Sequence, residues 1–323
     1  MRLVFMGTPE FAVPSLEALL RHRESDGFEV VGVVTQPDRP KGRRHEVVAS
    51  PVKRVCLREG LPLLQPAKMK DPAFLDALRA WRPDLVAVAA FGRILSPAIL
   101  AIPPKGCVNV HASLLPKYRG AGPIQWAIIN GERETGITTM RMDEGMDTGA
   151  ILLQEIVPIR ADDTAGSLSV RLAEVGGRLL IETLRCLRDG TVTPRPQDHA
   201  QATMAPRLEK DDGLIAWTLD AQAIANRVRG LSPWPGAFTY AGKDRWILWQ
   251  ASVADGPSGS APPGTIVAVE KDRLLVATGR GLLAVTELQP ANSRRMTVTQ
   301  YLAGHRLAPG AVLGAATAPA QAS

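Results

Sequence analysis

The sequence has no run of roughly 18 or more apolar residues, the least a helix needs to span a bilayer. Its first residues, Met1-Arg2-Leu3-Val4-Phe5-Met6-Gly7, read as a strand entering a turn and not as a leader peptide. No membrane partner is expected, and a cytoplasmic location is. Cysteine is scarce: Cys56, Cys107 and Cys186 are odd in number, far apart and free of any CxxC pair. That excludes a disulfide framework and points to reduced structural thiols. The first strand-to-helix turn, Gly7-Thr8-Pro9-Glu10, has one glycine where a dinucleotide-binding fold carries GxGxxG, so hydride transfer with NAD is disfavoured. The five histidines are scattered and form no ligand cluster, so no metal is expected. A strong basic tract is missing too. The net charge of +6 is spread, with 12 Lys and Arg against 9 Asp and Glu in 207–323, and 26 against 23 before them. A pI near 9.5 suggests a polyanionic partner without locating it.

What is present suits about two domains, since 323 residues exceed one ordinary domain and 45% hydrophobic content can fill real cores. The first half alternates short apolar runs with helical patterns, as parallel α/β folds do. Strands are expected at 2–6, 29–35, 84–90, 106–111 and 137–142. Between the first two, Phe11, Leu16, Leu19 and Leu20 fall at helical spacing over 10–22, with Pro9 at the helix entry. In such a fold functional residues lie just beyond the carboxyl ends of the strands. A long helix over 164–187, striped by Leu168, Leu172, Leu179, Leu180 and Leu184, closes this domain. Residues 189–206, with Gly190, Pro194, Pro196 and Pro206, read as an extended linker and not a packed element. After a helix at 221–229 come strand signals at 245–253, 264–269, 274–278 and 282–288, a pattern that favours a small barrel. Residues 314–323, uncharged and rich in Ala, are expected to be disordered.

Two segments carry chemistry. The strand at 107–110 leads to Asn109 and His111, which leave one face at the carboxyl edge of the sheet. An amide donor beside an imidazole suits acyl-type transfer, where a carbonyl becomes an oxyanion that positioned donors stabilise. Spacing alone leaves open that Asn109 caps a turn and His111 is a structural histidine. The second segment, Asp143-Glu144-Gly145-Met146-Asp147-Thr148-Gly149, is either a tight functional loop or a solvated turn. Were Asp147 to approach His111, it would orient the imidazole or accept a proton through water. Cys107 adjoins the site, but its neighbours mark a buried strand, against a nucleophilic role.

Taken together, Asn109-Val110-His111-Ala112-Ser113-Leu114-Leu115-Pro116 and the 143–149 loop resemble the 10-formyltetrahydrofolate-dependent formyltransferases, whose signatures are N-x-H-x-S-L-L-P and D-x-G-x-D-T-G. The resemblance extends over nearly the whole chain. It includes Gly7-Thr8-Pro9-Glu10-Phe11-Ala12, the T-Q-P-D-R-P-x-G-R loop at 35–43, Arg119-Gly120-Ala121-Gly122-Pro123-Ile124-Gln125, Pro233-Trp234-Pro235, Gly264-Thr265-Ile266 and Leu288-Gln289-Pro290-Ala291. It implies a Rossmann-like, mostly parallel α/β domain at 1–189, a linker at 190–206, and an OB-like small β-barrel at 207–313 that binds tRNA. By resemblance, Asn109, His111 and Asp147 are catalytic. Ser113, Leu114, Leu115 and Pro116 would border the folate, and Phe91, Gly92, Ile94, Leu95, Asp143 and Gly145 would hold its pterin. The donor would be 10-formyltetrahydrofolate, with no metal.

The acceptor is read from the loop at 36–53, which in tRNA-acting members wedges into the acceptor stem. Here Arg39, Lys41, Arg43 and Arg44 are cations able to contact phosphates, while Pro37, Pro40 and Gly42 argue against regular structure. The loop departs from the family pattern in Arg44-His45-Glu46-Val47-Val48-Ala49, where further lysines are usual. The resemblance implies formylation of the α-amine of methionyl initiator tRNA; a monomer is the default expectation. A sugar-nucleotide amine formyltransferase would share the trio but lack the basic loop, and a glycinamide ribonucleotide formyltransferase would need no second domain. A non-catalytic RNA-binding protein would need none of the trio. Trp234, between prolines, reads as a packing residue more than a base-stacking one, and Trp246 and Trp249 as barrel residues.

Overall fold

A computed structural model describes residues 1–41, 46–256 and 260–314, with main chain only at 39–41 and 46–47. Its strands in the first half are β1 (Arg2–Gly7), β2 (Glu29–Val34), β3 (Arg39–Lys41), β4 (Glu46–Val48), β5 (Leu63–Leu64), β6 (Leu85–Ala89), β7 (Cys107–His111), β8 (Glu134–Arg141) and β9 (Ile151–Pro158). The helices there are α1 (Val13–Arg21), α2 (Arg23–Asp26), α3 (Pro51–Glu59), α4 (Pro72–Ala80), α5 (Pro97–Leu100), α6 (Pro123–Ile129) and α7 (Ala165–Asp189). Local chemistry marks their starts. Ser50 and Asp71 accept main-chain N–H groups at the heads of α3 and α4, each followed by proline in the first turn, where its missing N–H costs nothing.

The chain divides into two compact units. The first comprises Met1–Pro123, Glu134–Pro158 and Leu168–Pro206; the second takes Ile124–Arg133, Ile159–Ser167 and the residues from Arg207 onward. A single crossing near 206 is therefore too simple, because two short excursions of the first half group with the second unit.

The first unit is built on a seven-stranded sheet in the order β5-β2-β1-β6-β7-β8-β9. β5, β2, β1, β6 and β7 run parallel, whereas β8 is antiparallel to both β7 and β9. Strand order reverses between β1 and β6, the place where open α/β sheets leave a crevice at their carboxyl ends. The central strands are buried almost throughout, which explains their continuous apolar runs. Leu168, Leu172, Leu179, Leu180 and Leu184 of α7 are buried. Gly176 lets that helix come close, since a Cβ there would stand 2.9 Å from the Val110 side chain of β7.

Three features of the first unit differ from the sequence expectations. β9 was not foreseen, because its alternation is masked by the mixed run Ile151-Leu152-Leu153-Gln154, and a register shift interrupts its pairing with β8. The proline-bearing loop does form regular structure: β3 and β4 pair antiparallel, Arg39 opposite Val48 and Lys41 opposite Glu46. A two-stranded ribbon has open edges, so Pro40 removes a donor it can do without. Residues 190–206 are extended apart from a 3-10 turn at His199–Gln201, yet Gln197 and Ala205 are buried and Arg195 and Met204 form bridges with Ile151 and Arg119. Proline-rich chain packs here through main-chain bonds that composition does not reveal.

The second unit contains α8 (Ala221–Gly230), β10 (Ala237–Ala241), β11 (Asp244–Ala254), β12 (Ile266–Val269), β13 (Leu274–Ala277), β14 (Leu282–Pro290), β15 (Met296–Thr297), α9 (Val298–Leu302) and β16 (Leu313–Gly314). The sheet runs β12-β13-β14-β11-β10-β16, with β15 on β14. Bonds from Ile266 N to Ala311 O and from Leu313 N to Gly264 O, both 2.8 Å, join its ends and curl it into a small barrel. Trp246 is buried in the barrel core against Tyr301, and Trp249 donates to Gln289 Oε1 at 3.0 Å. Trp234 departs from the packing expectation, being 48% exposed. Gly314, placed by sequence in the disordered tail, lies in β16; 315–323 fall outside the described residues.

Candidate active site

The site lies where β7 ends. β6 on one side and β8 on the other fix the strand, with Asn109 opposite Val88 and Met140. This places Asn109 and His111 on one face. The Asn109 amide is half-buried and makes no hydrogen bond among the described residues, so its donors are free.

His111 is 5% exposed. Its Nε2 lies 2.9 Å from the Tyr118 carbonyl. A carbonyl only accepts, so the proton of the neutral ring sits on Nε2 and Nδ1 keeps its lone pair. That lone pair faces Asp147, whose Oδ2 is 3.6 Å away. The separation is longer than a hydrogen bond, and protonation of Nδ1 would convert the contact into an ion pair. Asp147 Oδ2 also accepts the Gly120 N–H at 2.9 Å. Asp147 has φ of 54°, a left-handed conformation that costs a non-glycine residue about 1–3 kcal/mol and persists only where neighbours enforce it.

The 143–149 loop is organised by its first residue. The Asp143 carboxylate accepts Gly145 N at 3.0 Å and Thr148 Oγ at 2.7 Å, so it shapes the turn, and Met146 stands exposed. Ser113 is fully buried and its hydroxyl donates to the Lys117 carbonyl at 2.7 Å, while Leu115 packs with Met140 and Ile151. These two side chains are spent on the interior, and only their main chain can meet a ligand. Leu114 and Pro116 are partly exposed. Phe91 and Leu95 likewise belong to the core, Gly92 takes φ of 73°, and Ile94 projects outward at 77% exposure. The Phe91 carbonyl is fixed by Gln36 Nε2 at 2.8 Å. Burial pushes the Cys107 thiol up to about 12, which leaves it protonated and inert at neutral pH. Among the described residues no three His, Cys, Asp or Glu side chains gather as a metal would require.

Arg39 and Lys41 lie in β3; Arg43 and Arg44 lie outside the described residues. The ribbon is pinned at its base. Asp38 is paired with Lys53 Nζ and accepts Gln65 Nε2 at 3.0 Å, and Lys53 donates to Gln65 Oε1 at 2.9 Å. The Lys53 ammonium, foremost, holds the Asp38 carboxyl below its ordinary value. Sequence reasoning did not single out this triad, nor Arg119 and Gln197 behind Asp147. Arg119 was visible within a motif, but Gln197 in a proline-rich stretch gave no signal.

An amide with free donors, an imidazole with an open Nδ1 and a carboxylate beside it, at the carboxyl edge of an α/β sheet, form a candidate group-transfer site. The chain belongs to the formyl transferase family, whose profiles match residues 1–184 (Formyl transferase) and 207–306 (Formyl transferase, C-terminal domain). It is thus an enzyme of one-carbon transfer. Within the family it is similar to the methionyl-tRNA formyltransferase of Acetivibrio thermocellus, at 52% identity over 97% of this chain and 100% of that protein. Two solved structures share the fold. HypX from Aquifex aeolicus in complex with tetrahydrofolic acid matches with a TM-score of 0.62 at 18% identity, over 94% of this chain; the chain spans about half of HypX, 47%. An N-formyltransferase from Helicobacter canadensis, in complex with folinic acid and dTDP-3-aminofucose, matches with a TM-score of 0.64 at 19% identity, over 88% of this chain and 98% of that one.

Proposed function

We propose that the chain transfers the formyl group of 10-formyltetrahydrofolate to the α-amine of methionyl initiator tRNA, as a cytoplasmic monomer. The observation that carries the chemistry is the open Nδ1 of His111 facing Asp147, with Asn109 on the same strand face. The amine nitrogen attacks the formyl carbon, and the carbonyl electrons move to oxygen, where the Asn109 amide donates to the oxyanion. The attacking nitrogen loses a proton to His111 Nδ1, and the resulting imidazolium is stabilised by Asp147. The oxyanion then collapses, the bond from carbon to N10 breaks, and N10 receives the proton as tetrahydrofolate leaves. No step calls for a metal.

The division of labour follows the chain. Residues 1–189 hold the donor and the chemistry, with the main chain of 91–95, 113–116 and 143–145 around the folate. The barrel at 207–313 carries the tRNA body, and Arg39, Lys41, Arg43 and Arg44 meet the acceptor stem through its phosphates. Support for a tRNA acceptor comes from the 52% identity to a methionyl-tRNA enzyme over 97% of this chain and 100% of that protein. The test offers 10-formyltetrahydrofolate with methionyl initiator tRNA and, separately, with a nucleotide-linked amino sugar. Formyl transfer to the tRNA is expected, and transfer to the sugar alone would overturn the proposal.

A further inference from the structure

We infer that Arg119 and Gln197 are positioning residues for formyl transfer, a buried relay that fixes Asp147 against His111. The inference rests on the assignment of Asp147 and His111 as the reacting pair. Both relay side chains are buried, at 6% exposure each. The two hydrogens of Gln197 Nε2 are both spent, one on the Asp147 carbonyl at 2.8 Å and one on the Gly149 carbonyl at 2.7 Å. Gln197 Oε1 accepts from Arg119 Nε at 3.1 Å and from Nη2 at 2.7 Å. Carbonyls only accept and a guanidinium only donates, so the amide has one possible orientation. Arg119 Nη2 also reaches His199 Nδ1 at 3.1 Å, and because a guanidinium only donates, that nitrogen is the acceptor of the bond. A buried cation bonded to the amide oxygen polarises the amide and strengthens the bonds it sends onward.

The same short segment grips the other half of the pair. Tyr118 gives its carbonyl to His111, Gly120 gives its N–H to the Asp147 carboxylate, and Arg119 between them holds the Asp147 main chain through Gln197. The segment is itself laid against 203–205. Arg119 N donates to Thr203 O at 2.8 Å, Ala205 N to Arg119 O at 2.7 Å, and Tyr118 N to Thr203 Oγ at 2.8 Å. Gly120, with φ of 115°, permits this contact, since a Cβ there would stand 2.7 Å from the Ala205 carbonyl. The left-handed turn at Asp147 is therefore enforced from its side chain, its own carbonyl and the carbonyl two residues on. A stretch whose composition reads as a tether sets the distance within the reacting pair.

The test compares full-length Gln197→Leu with wild type in kcat, in KM for each substrate, in the pH profile of kcat and in thermal midpoint. A displacement of about 1 Å at a reacting group costs on the order of 100-fold. The expected result is a kcat lower by about 10- to 100-fold with both KM values within about three-fold, and a displaced pH limb. A kcat within two-fold of wild type overturns the inference, as does a fall in kcat with the pH profile unmoved, which marks a structural role alone. Should Gln197→Leu fail to fold, Gln197→Glu decides by the same readings, because it keeps oxygen acceptors for Arg119 while withdrawing both donors. Asp147→Asn separates the two levels. An active Asp147→Asn overturns the reacting pair and the relay together; an inactive one beside an active Gln197→Leu overturns the relay alone.

Discussion

His111 and Arg39 follow strands that leave the same carboxyl edge of one sheet, yet the chain holds them in opposite ways. His111 closes a buried strand paired on both sides, with its ring nitrogen, its carboxylate neighbour and that neighbour's main chain all bonded. Arg39 opens a two-stranded ribbon that, among the described residues, forms a sheet of its own and is fastened at its base by Asp38, Lys53 and Gln65. Chemistry that needs donors aimed at a developing charge requires groups that do not reorganise. Under the proposed function, recognition of a large polyanion would fall to the ribbon, which is anchored at one end. The division predicts that damage at β7 appears in kcat and damage at the ribbon in KM for tRNA.

The largest effect tests the rigid side. Asn109→Ala removes the free amide donors and should lower kcat by about 10²- to 10³-fold, as loss of an oxyanion donor does, with both KM values nearly unchanged. Single-turnover formylation measures this, and a main effect on KM would break the contrast. The ribbon side should respond differently. Lys53→Met releases the base of the ribbon and should raise KM for tRNA about five-fold, the equivalent of ~1 kcal/mol of lost ordering, while KM for the folate holds. An equal rise in both would show that the ribbon and the folate site are not separable.

The smallest effect is one of pH. Because Lys53 holds the Asp38 carboxyl below its usual value, the folded chain gains stability that is fully present above the ordinary carboxylate range, near about 4. That stability is lost as pH falls through the lowered folded value. Asp38→Asn should therefore flatten the acid side of a plot of thermal midpoint against pH and leave its alkaline side unmoved. An unchanged acid slope would show that the pair does not fasten the ribbon.

The same contrast explains what could be read from sequence. β1, β2, β6 and β7 announced themselves as apolar runs because both faces are buried, and α7 did so by its leucine stripe. The Asn109 and His111 spacing placed both on one face, but their meaning came only with the 143–149 loop beside them. What stayed hidden depends on contacts between distant segments. Gln197 lies 50 residues from Asp147, and neither its type nor its neighbours mark a buried bond. The ribbon was missed for the opposite reason: Pro40 is a local signal against a strand, overridden because the open edge of a two-stranded ribbon tolerates a missing donor. The excursions 124–133 and 159–167 group with the second unit through packing that no local pattern encodes.

One feature of the barrel bears on how the protein is made. β12 stands at one end of the sheet and is joined to the other end through 310–313, which follow β10 to β15 in the chain. A chain synthesised from its amino end therefore carries β10 to β14 as an open sheet, with two raw edges, until residue 314 has emerged. The ring then closes at a stroke. A ribosome that stalls a few codons short of that point, or a nick anywhere in 303–310, leaves a product whose first unit is complete and whose second presents unpaired strands to its neighbours.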